Sequence, residues 1–302
     1  MRPDAFSTHH PAMTLTFFVG VIALCVLVQQ PVMQAVGLMG AMLYYLCLRG
    51  RDAWRLLVAM ALALIVLAAI NPLFNALGDT VLFTYLGARP YTLEALAYGA
   101  STATMFVSVM LWFACYAQVM STDKFTYLFG RRAPALTLVL TMTLRLVPSY
   151  VRKARQISTA RRCVGLSMTQ GSVRERARDG ASLLSALTSW ALEGAVTTAD
   201  SMRSRGYGAR TSGDSSTPGR YLQCRFRMRD ALLLALMVAC VIVTCIALAS
   251  GALAVSYVPA IDIPTFSPLG IGALVACTVL VLVPSAIDAK EAIAWRSSLS
   301  NI

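Results

Sequence analysis

Long runs of apolar residues, broken by short polar segments, follow one another along most of the chain. Five runs hold 16 to 22 residues with almost no charge, at 14–29, 54–70, 98–119, 231–250 and 267–287. A helix needs about 20 apolar residues to cross a bilayer. With a further apolar segment, the pattern predicts six membrane spans, near 14–29, 31–49, 54–70, 92–120, 230–250 and 267–287; a re-entrant hairpin is the alternative for the short first pair. We therefore expect an all-α, multi-pass membrane protein.

The composition agrees with this fold class. Of the 302 residues, 57% are hydrophobic and only 13% are charged, whereas about 25% of residues are charged in an average soluble domain. The chain has too few charged side chains to cover two soluble domains of this total length.

The residue inventory excludes several kinds of chemistry. The two histidines, His9 and His10, stand together near the N-terminus, so the body of the chain offers no histidine for a metal centre or a catalytic pair. None of the eight cysteines forms a Cys-x-x-Cys motif, and most fall in apolar runs. We therefore expect them to be small buried apolar residues, and not disulfide partners or zinc ligands. No phosphate-binding Gly-x4-Gly-Lys-Ser/Thr loop occurs. We expect no metal and no cofactor to be bound directly by this chain.

Positive charge is concentrated in one segment. Residues 145–229 hold 16 of the 26 Arg and Lys residues against five acids. Basic segments beside membrane spans remain on the cytoplasmic side. The chain therefore divides into a membrane block at 1–120, a basic cytoplasmic domain at 121–229 and a second membrane block at 230–302. Both termini are predicted to be cytoplasmic in the plasma (cell) membrane, with 71–91 and 251–266 outside.

The basic segment has helical spacing. Apolar or small residues recur every three or four positions over 134–164, and again from Gly180 to Gly206. Each predicted helix ends in arginine followed by glycine, at Gly165 and at Gly206. Arginine opposes the negative end of the helix dipole and can pair bidentately with a carboxylate. Such ends suit docking into grooves of a soluble partner; the alternative is a hairpin whose basic face binds anionic lipid.

Three further patterns concern helix packing. Glu193, Asp200 and Arg203 share one helix face, which predicts an ion-pair seam to Arg152 or Arg155, with a proton relay as the alternative. The small residues at 95, 99 and 103 suit close packing of membrane helices, or contact with another membrane subunit. Proline disfavours helix at the residue before it, so Asn71-Pro72 is expected to end a span.

Several motifs in order resemble one known family. They are Asn71-Pro72-Leu73-Phe74, Thr122-Asp123-Lys124-Phe125, Thr141-Met142-Thr143-Leu144-Arg145-Leu146-Val147-Pro148, Trp190-Ala191-Leu192-Glu193, Thr198-Ala199-Asp200-Ser201-Met202 and Ser204-Arg205-Gly206-Tyr207-Gly208. Over about 70–230 the chain resembles the transmembrane T component of energy-coupling factor (ECF) transporters, and outside that stretch only the hydropathy is similar.

The resemblance implies a non-catalytic coupling subunit. Its partners would be the bilayer, two ABC-type ATPases that use ATP and Mg, and a membrane S component that captures the substrate, with no nucleic acid. The resemblance implies that Ser204, Arg205 and Gly206 dock one ATPase through the second of two coupling helices. Ala160, Arg161 and Arg162 are the candidates in the first, although alignment on Gly165 puts Val164 at the arginine position.

Two other classes of protein compete with this interpretation. A membrane-embedded enzyme acting on lipids would need acidic or polar residues inside its spans, and Glu94 is the acid closest to one. A secondary carrier usually shows internal repeats, and the sequence has none. For the cargo of a coupling subunit we prefer a vitamin, with cobalt or nickel as the alternative.

Overall fold

Helices form at all six predicted apolar positions in the computed structural model. The structure describes residues 6, 9–75, 80–85, 89–130, 133–165, 172–207, 228–255 and 267–299. Its helices are α1 (Pro11–Leu27), α2 (Pro31–Arg49), α3 (Ala53–Phe74), α4 (Leu93–Val119), α5 (Thr122–Gly130), α6 (Pro134–Cys163), α7 (Val173–Ser204), α8 (Met228–Ala249) and α9 (Pro268–Leu299). The six apolar helices are α1 to α4, α8 and α9.

Four apolar stretches are long enough to cross a bilayer. They are Pro31–Phe74, Leu93–Val119, Met228–Ala249 and Pro268–Glu291, while Pro11–Leu27 is shorter at 17 residues. The 44-residue stretch from Pro31 contains α2 and α3, which a 3-10 turn at Gly50–Asp52 separates. Gly50 has a φ of +59°, a left-handed conformation that glycine adopts without a steric penalty. The chain is an all-α membrane protein, as predicted.

A short β-hairpin interrupts the helices, and the sequence analysis did not predict it. Strands β1 (Val81–Tyr85) and β2 (Arg89–Thr92) pair antiparallel, with Val81 opposite Thr92 and Tyr85 opposite Arg89. The first strand is rich in β-branched and aromatic residues, which favour strands. The predicted outer loop at 71–91 therefore contains regular structure before α4 begins.

Two predicted helix boundaries are wrong. Asn71 is helical and α3 continues through Pro72 to Phe74, because a proline in the last turn removes one hydrogen bond without preventing the turn. The other error concerns α7, which begins at Val173 and not after Gly180. The Ser172 hydroxyl accepts a hydrogen bond from the Glu175 N–H, and the Glu175 carboxylate accepts one from the Ser172 N–H. This capping box stabilises an earlier start, and Gly180 lies inside the helix.

The chain forms two compact units. The first contains Met1–Leu128 and Cys224–Ile302, and the second contains Phe129–Gln223. In the first unit, an aromatic cluster of fully buried side chains joins the N-terminal segment to α1, α2 and α4; its members are Phe6, Phe17, Phe18, Tyr44 and Trp112. The Tyr44 and Trp112 rings stack with their centroids 6.3 Å apart. These contacts fix the positions of the membrane helices around α4.

The small residues of α4 allow close packing against α3, as predicted. Ala95, Gly99 and Ala103 are all buried. A Cβ atom added at Gly99 would lie 2.7 Å from the Asn71 Cβ atom and 3.0 Å from the Ala68 carbonyl oxygen. Pro72 has no N–H, so it cannot donate the usual helical hydrogen bond to the Ala68 carbonyl oxygen. That oxygen faces Gly99. At Gly99 the small-residue face is covered by α3.

Candidate partner-docking site

The end of α7 is exposed and carries the arginine-glycine pair that the sequence singled out. Arg205 is the C-cap residue, and Gly206 follows it with a φ of +79°. The Tyr207 N–H donates to the Met202 carbonyl and the Gly206 N–H donates to the Arg203 carbonyl. These two bonds define a Schellman motif, which ends the helix and turns the chain away at the glycine. We call residues 202–207 the α7 tip.

The end of α6 has similar geometry with different residues. Val164 is the C-cap residue, Gly165 has a φ of +83°, and the Gly165 N–H donates to the Arg162 carbonyl. Alignment of the two ends on their glycines therefore places Val164, 78% exposed, at the position that Arg205 holds in α7. It places Arg162 at the position of Arg203. We call residues 160–165 the α6 tip.

The predicted docking residues differ in exposure. Ser204, Arg205 and Gly206 are exposed at the α7 tip, where the Ser204 hydroxyl donates to the Ser201 carbonyl. Ala160 and Arg162 are exposed at the α6 tip, whereas Arg161 is half-buried. Whether any of these residues contacts another protein remains a prediction.

Aromatic packing and one ion pair join α6 to α7. The Tyr150 ring meets the Trp190 ring edge-on, with centroids 5.5 Å apart, and the Lys153 Nζ atom lies 5.6 Å from the Trp190 centroid. Eleven residues further along α6, the Arg161 guanidinium contacts Asp179, which lies 11 residues before Trp190 in α7. The two helices therefore run antiparallel. The pairing of positions between them stays the same from one contact to the other.

This register places the two tips at opposite ends of the hairpin. The α6 tip lies beside Asp179, near the start of α7, and the α7 tip lies 26 residues further along α7. At 1.5 Å per residue, the separation along the helix axis is about 39 Å. One compact partner groove cannot hold both tips, so each tip offers a separate surface.

The ion-pair seam predicted from Glu193, Asp200 and Arg203 is not formed within the described residues. All three side chains are exposed, and none pairs there with Arg152 or Arg155. Arg152 donates to the Ser149 hydroxyl. The antiparallel register places Glu193 beyond Trp190, away from Arg152 and Arg155, and the observed ion pair uses Asp179. The sequence does not predict the contacts of Asp179, Tyr150 and Lys153, because only the register shows which residues face each other.

Much of the apolar surface of α6 and α7 is open. No described side chain of α7 is buried. Large apolar side chains are exposed along both helices, at Leu136, Val139, Val147, Leu184, Leu192 and Val196. Soluble monomers rarely expose contiguous apolar surface of this kind, which marks contact with proteins or membranes.

The alternative chemistry has little support in the described residues. Glu94 is buried at the start of α4, where the Thr80 hydroxyl donates to its Oε1 atom. Within the part of the chain that the structure describes, no group of three or more His, Cys, Asp or Glu side chains could hold a metal ion.

The fold and this site define a membrane protein with a separate basic helical hairpin whose two tips are exposed. Residues 4–215 match the family model described as CbiQ, cobalt transport protein. Because the match covers more than two thirds of the chain, the chain belongs to this family, and it is a membrane component of a transporter. The match confirms the resemblance and extends it to the N-terminal helices. No curated protein matches the chain.

Proposed function

We propose that this chain is the non-catalytic T subunit of an ECF-type ABC importer. It transmits the ATP-driven movement of two ATPase subunits to a membrane S component that captures the substrate. ATP and Mg are used by the ATPases, and this chain binds no cofactor of its own. The observation that carries the proposal is the pair of exposed, glycine-terminated helix ends with arginine in the last turn, in a chain of this transporter family.

The separation of the tips supports two ATPase partners. Each tip presents a guanidinium group within one turn of its glycine, and guanidinium groups pair well with carboxylates in a partner groove. The tips are about 39 Å apart along α7, so two ATPase subunits can each receive one. The exposed apolar side chains of α6 and α7 supply contact surface for these partners and for the S component.

Contacts within the first unit support a multi-pass topology with both termini in the cytoplasm. The His9 Nδ1 atom lies 2.5 Å from the Asp230 Oδ1 atom at the start of α8. The Phe6 N–H donates to the Asp288 Oδ1 atom near the end of α9. The Phe6 ring also contacts the Tyr44 ring, about one turn before Arg49 at the end of α2. The N-terminal segment, the end of α2, the start of α8 and the end of α9 therefore lie on one side of the first unit, and the positive-inside rule supports our proposal that this side is cytoplasmic.

The cargo has two candidates. We propose a vitamin as the first candidate, delivered through an S component that holds the substrate site. The family description as a cobalt transport protein favours a dedicated cobalt or nickel importer as the second candidate. Uptake of labelled vitamins and of radioactive cobalt by cells with and without the chain distinguishes them.

The function is tested by the substitution Arg205→Glu. We expect the variant to insert in the membrane at wild-type levels, to lose its ATPase subunits on purification and to lose ATP-dependent uptake, because a carboxylate would repel an acidic groove. The matched control is Arg155→Glu, which makes the same charge change at an exposed site away from the α7 tip. Normal uptake by Arg205→Glu would disprove the assigned role of Arg205. A wild-type chain that transports substrate without any ATPase would disprove the function.

A further inference from the structure

The α6 tip contains two consecutive arginines whose surroundings differ. The Arg161 Nη1 atom donates a hydrogen bond to the Asp179 carbonyl oxygen at 3.0 Å, and its Nη2 atom lies 3.7 Å from the Asp179 Oδ1 atom. The two side chains are 19% and 20% exposed. The Arg161 guanidinium therefore bridges α6 and α7 at both the main chain and the side chain of one residue.

Arg162 points into different surroundings. Consecutive helical residues project about 100° apart, so Arg162 cannot share the contact that Arg161 makes with Asp179. Its side chain is exposed, and it forms no hydrogen bond or ion pair within the described residues. Arg162 also lies in the last turn of α6, which ends at Cys163.

We propose that Asp179 holds Arg161 as an internal strap of the hairpin, and that Arg162 is the arginine that α6 presents to a carboxylate of the ATPase. This inference rests on the proposed function and assigns one residue of the first docking contact. Asp179 is a positioning residue in this scheme, because it fixes the end of α6 against the start of α7 and thereby sets the direction of Arg162.

Binding a partner carboxylate would cost Arg161 more free energy than Arg162. If Arg161 left Asp179 to bind a partner, a half-buried carboxylate would lose its guanidinium partner, and separating such a pair is costly. Among the described residues, Arg162 has no such contact to lose. It loses only side-chain freedom when it binds. A partner carboxylate therefore gains more from Arg162 than from Arg161.

A matched pair of conservative substitutions tests the assignment on the full-length chain. Lysine keeps the charge that an ion pair needs but lacks the bidentate fork of arginine. We expect Arg162→Lys to weaken binding of the ATPase pair that is isolated with the wild-type chain by about tenfold, and Arg161→Lys to change it less than about threefold. Equal losses, or a larger loss for Arg161→Lys, would overturn the assignment.

A charge exchange tests the strap separately. The double variant Arg161→Asp with Asp179→Arg preserves an ion pair between the helices while removing arginine from position 161. We expect it to restore hydrogen-exchange protection near residues 157–163, which Asp179→Ala lowers, and to keep ATPase binding near the wild-type level. Lost binding with restored protection would assign docking to Arg161 and overturn the inference. If protection is not restored, the strap itself is disproved.

The outcomes distinguish failure of the proposed function from failure of the Arg162 assignment. If the wild-type chain binds no ATPase, or if Arg205→Glu leaves uptake unchanged, the proposed function or the role of Arg205 is wrong. If wild-type binding is strong and Arg205 matters, but Arg162→Lys has no effect, then only the assignment of Arg162 is wrong.

Discussion

The Trp190 indole of α7 meets the Tyr150 ring of α6 edge-on, with the two ring centroids 5.5 Å apart. Lys153 contributes a cation–π contact to the same indole. Both helices are otherwise largely exposed. Within the described residues, this contact is therefore one of the main interactions between α6 and α7.

Removal of the indole should loosen the hairpin. Aromatic pairs contribute about 0.5–1.5 kcal/mol beyond the area that they bury, and the cation–π contact adds about 0.5–1 kcal/mol at an exposed site. We expect Trp190→Ala to lower hydrogen-exchange protection in α6 and α7 by a comparable free energy. Trp190→Phe keeps an aromatic ring and should retain most of the protection. If Trp190→Ala leaves the protection of both helices unchanged, the indole is not a main contact.

The α7 tip depends on glycine at position 206. Its φ of +79° is left-handed, and no atom of the residues that the structure describes lies within 4 Å of an added Cβ atom. The cost of Gly206→Ala is therefore backbone strain, about 1–2 kcal/mol, measured as loss of protection in the last turn of α7. Gly194→Ala is the control, because residue 194 is helical and its added Cβ atom also meets nothing. That change should stabilise α7 by up to about 1 kcal/mol. Effects of the same sign would contradict the conformational argument.

Gly99 should be intolerant of any side chain. A Cβ atom there would overlap Asn71 at 2.7 Å, and overpacking of a tight core costs about 1–3 kcal/mol. We expect Gly99→Ala to lower the thermal midpoint of the detergent-solubilised chain. Gly272→Ala in α9, where an added Cβ atom meets nothing within 4 Å, should leave the midpoint unchanged. A normal midpoint for Gly99→Ala would show that α3 can move away at no cost.

The start of α7 should be sensitive to acid. The Ser172 N–H and the Ser172 hydroxyl hold the pKa of Glu175 below its ordinary value. A lowered folded-state pKa means that the stabilisation is present above the ordinary pKa of glutamate and is lost as the pH falls through the folded value. We expect protection of the first turn of α7 to decrease over that acid range. Glu175→Gln should remove this pH dependence, while Ser172→Ala should cost about 1 kcal/mol at neutral pH. A pH dependence that survives Glu175→Gln would exclude the capping box as its cause.

The sequence predicted the membrane helices because each is encoded by a local run of apolar residues. It predicted the end of α6 at Gly165 and the end of α7 at Gly206 because a left-handed glycine is a local signal. The start of α7 was missed because the helical spacing was followed only from Gly180, although Ser172 and Glu175 form a capping box eight residues earlier. The β-hairpin was missed because Val81–Tyr85 was considered only as part of an outer loop.

Contacts between helices could not be predicted in the same way. The pairing of Arg161 with Asp179, and not of Arg152 or Arg155 with Glu193 or Asp200, depends on the register of α6 against α7. Charge spacing along one helix does not contain that register. Tyr150 and Trp190 both lie at apolar positions of the helical spacing, but that spacing does not show that the two rings meet.

The antiparallel register places the contact between Tyr150 and Trp190 between the two tips of the hairpin. Arg161 lies 11 residues from Tyr150, and Arg205 lies 15 residues from Trp190 in the opposite direction, which correspond to arms of about 16 and 22 Å. If the hairpin tilted as one body by about 10° about this contact, the two tips would be displaced by about 3 and 4 Å in opposite senses. Under the proposed function, displacement of one tip by its partner would then be accompanied by an opposite displacement of the other tip.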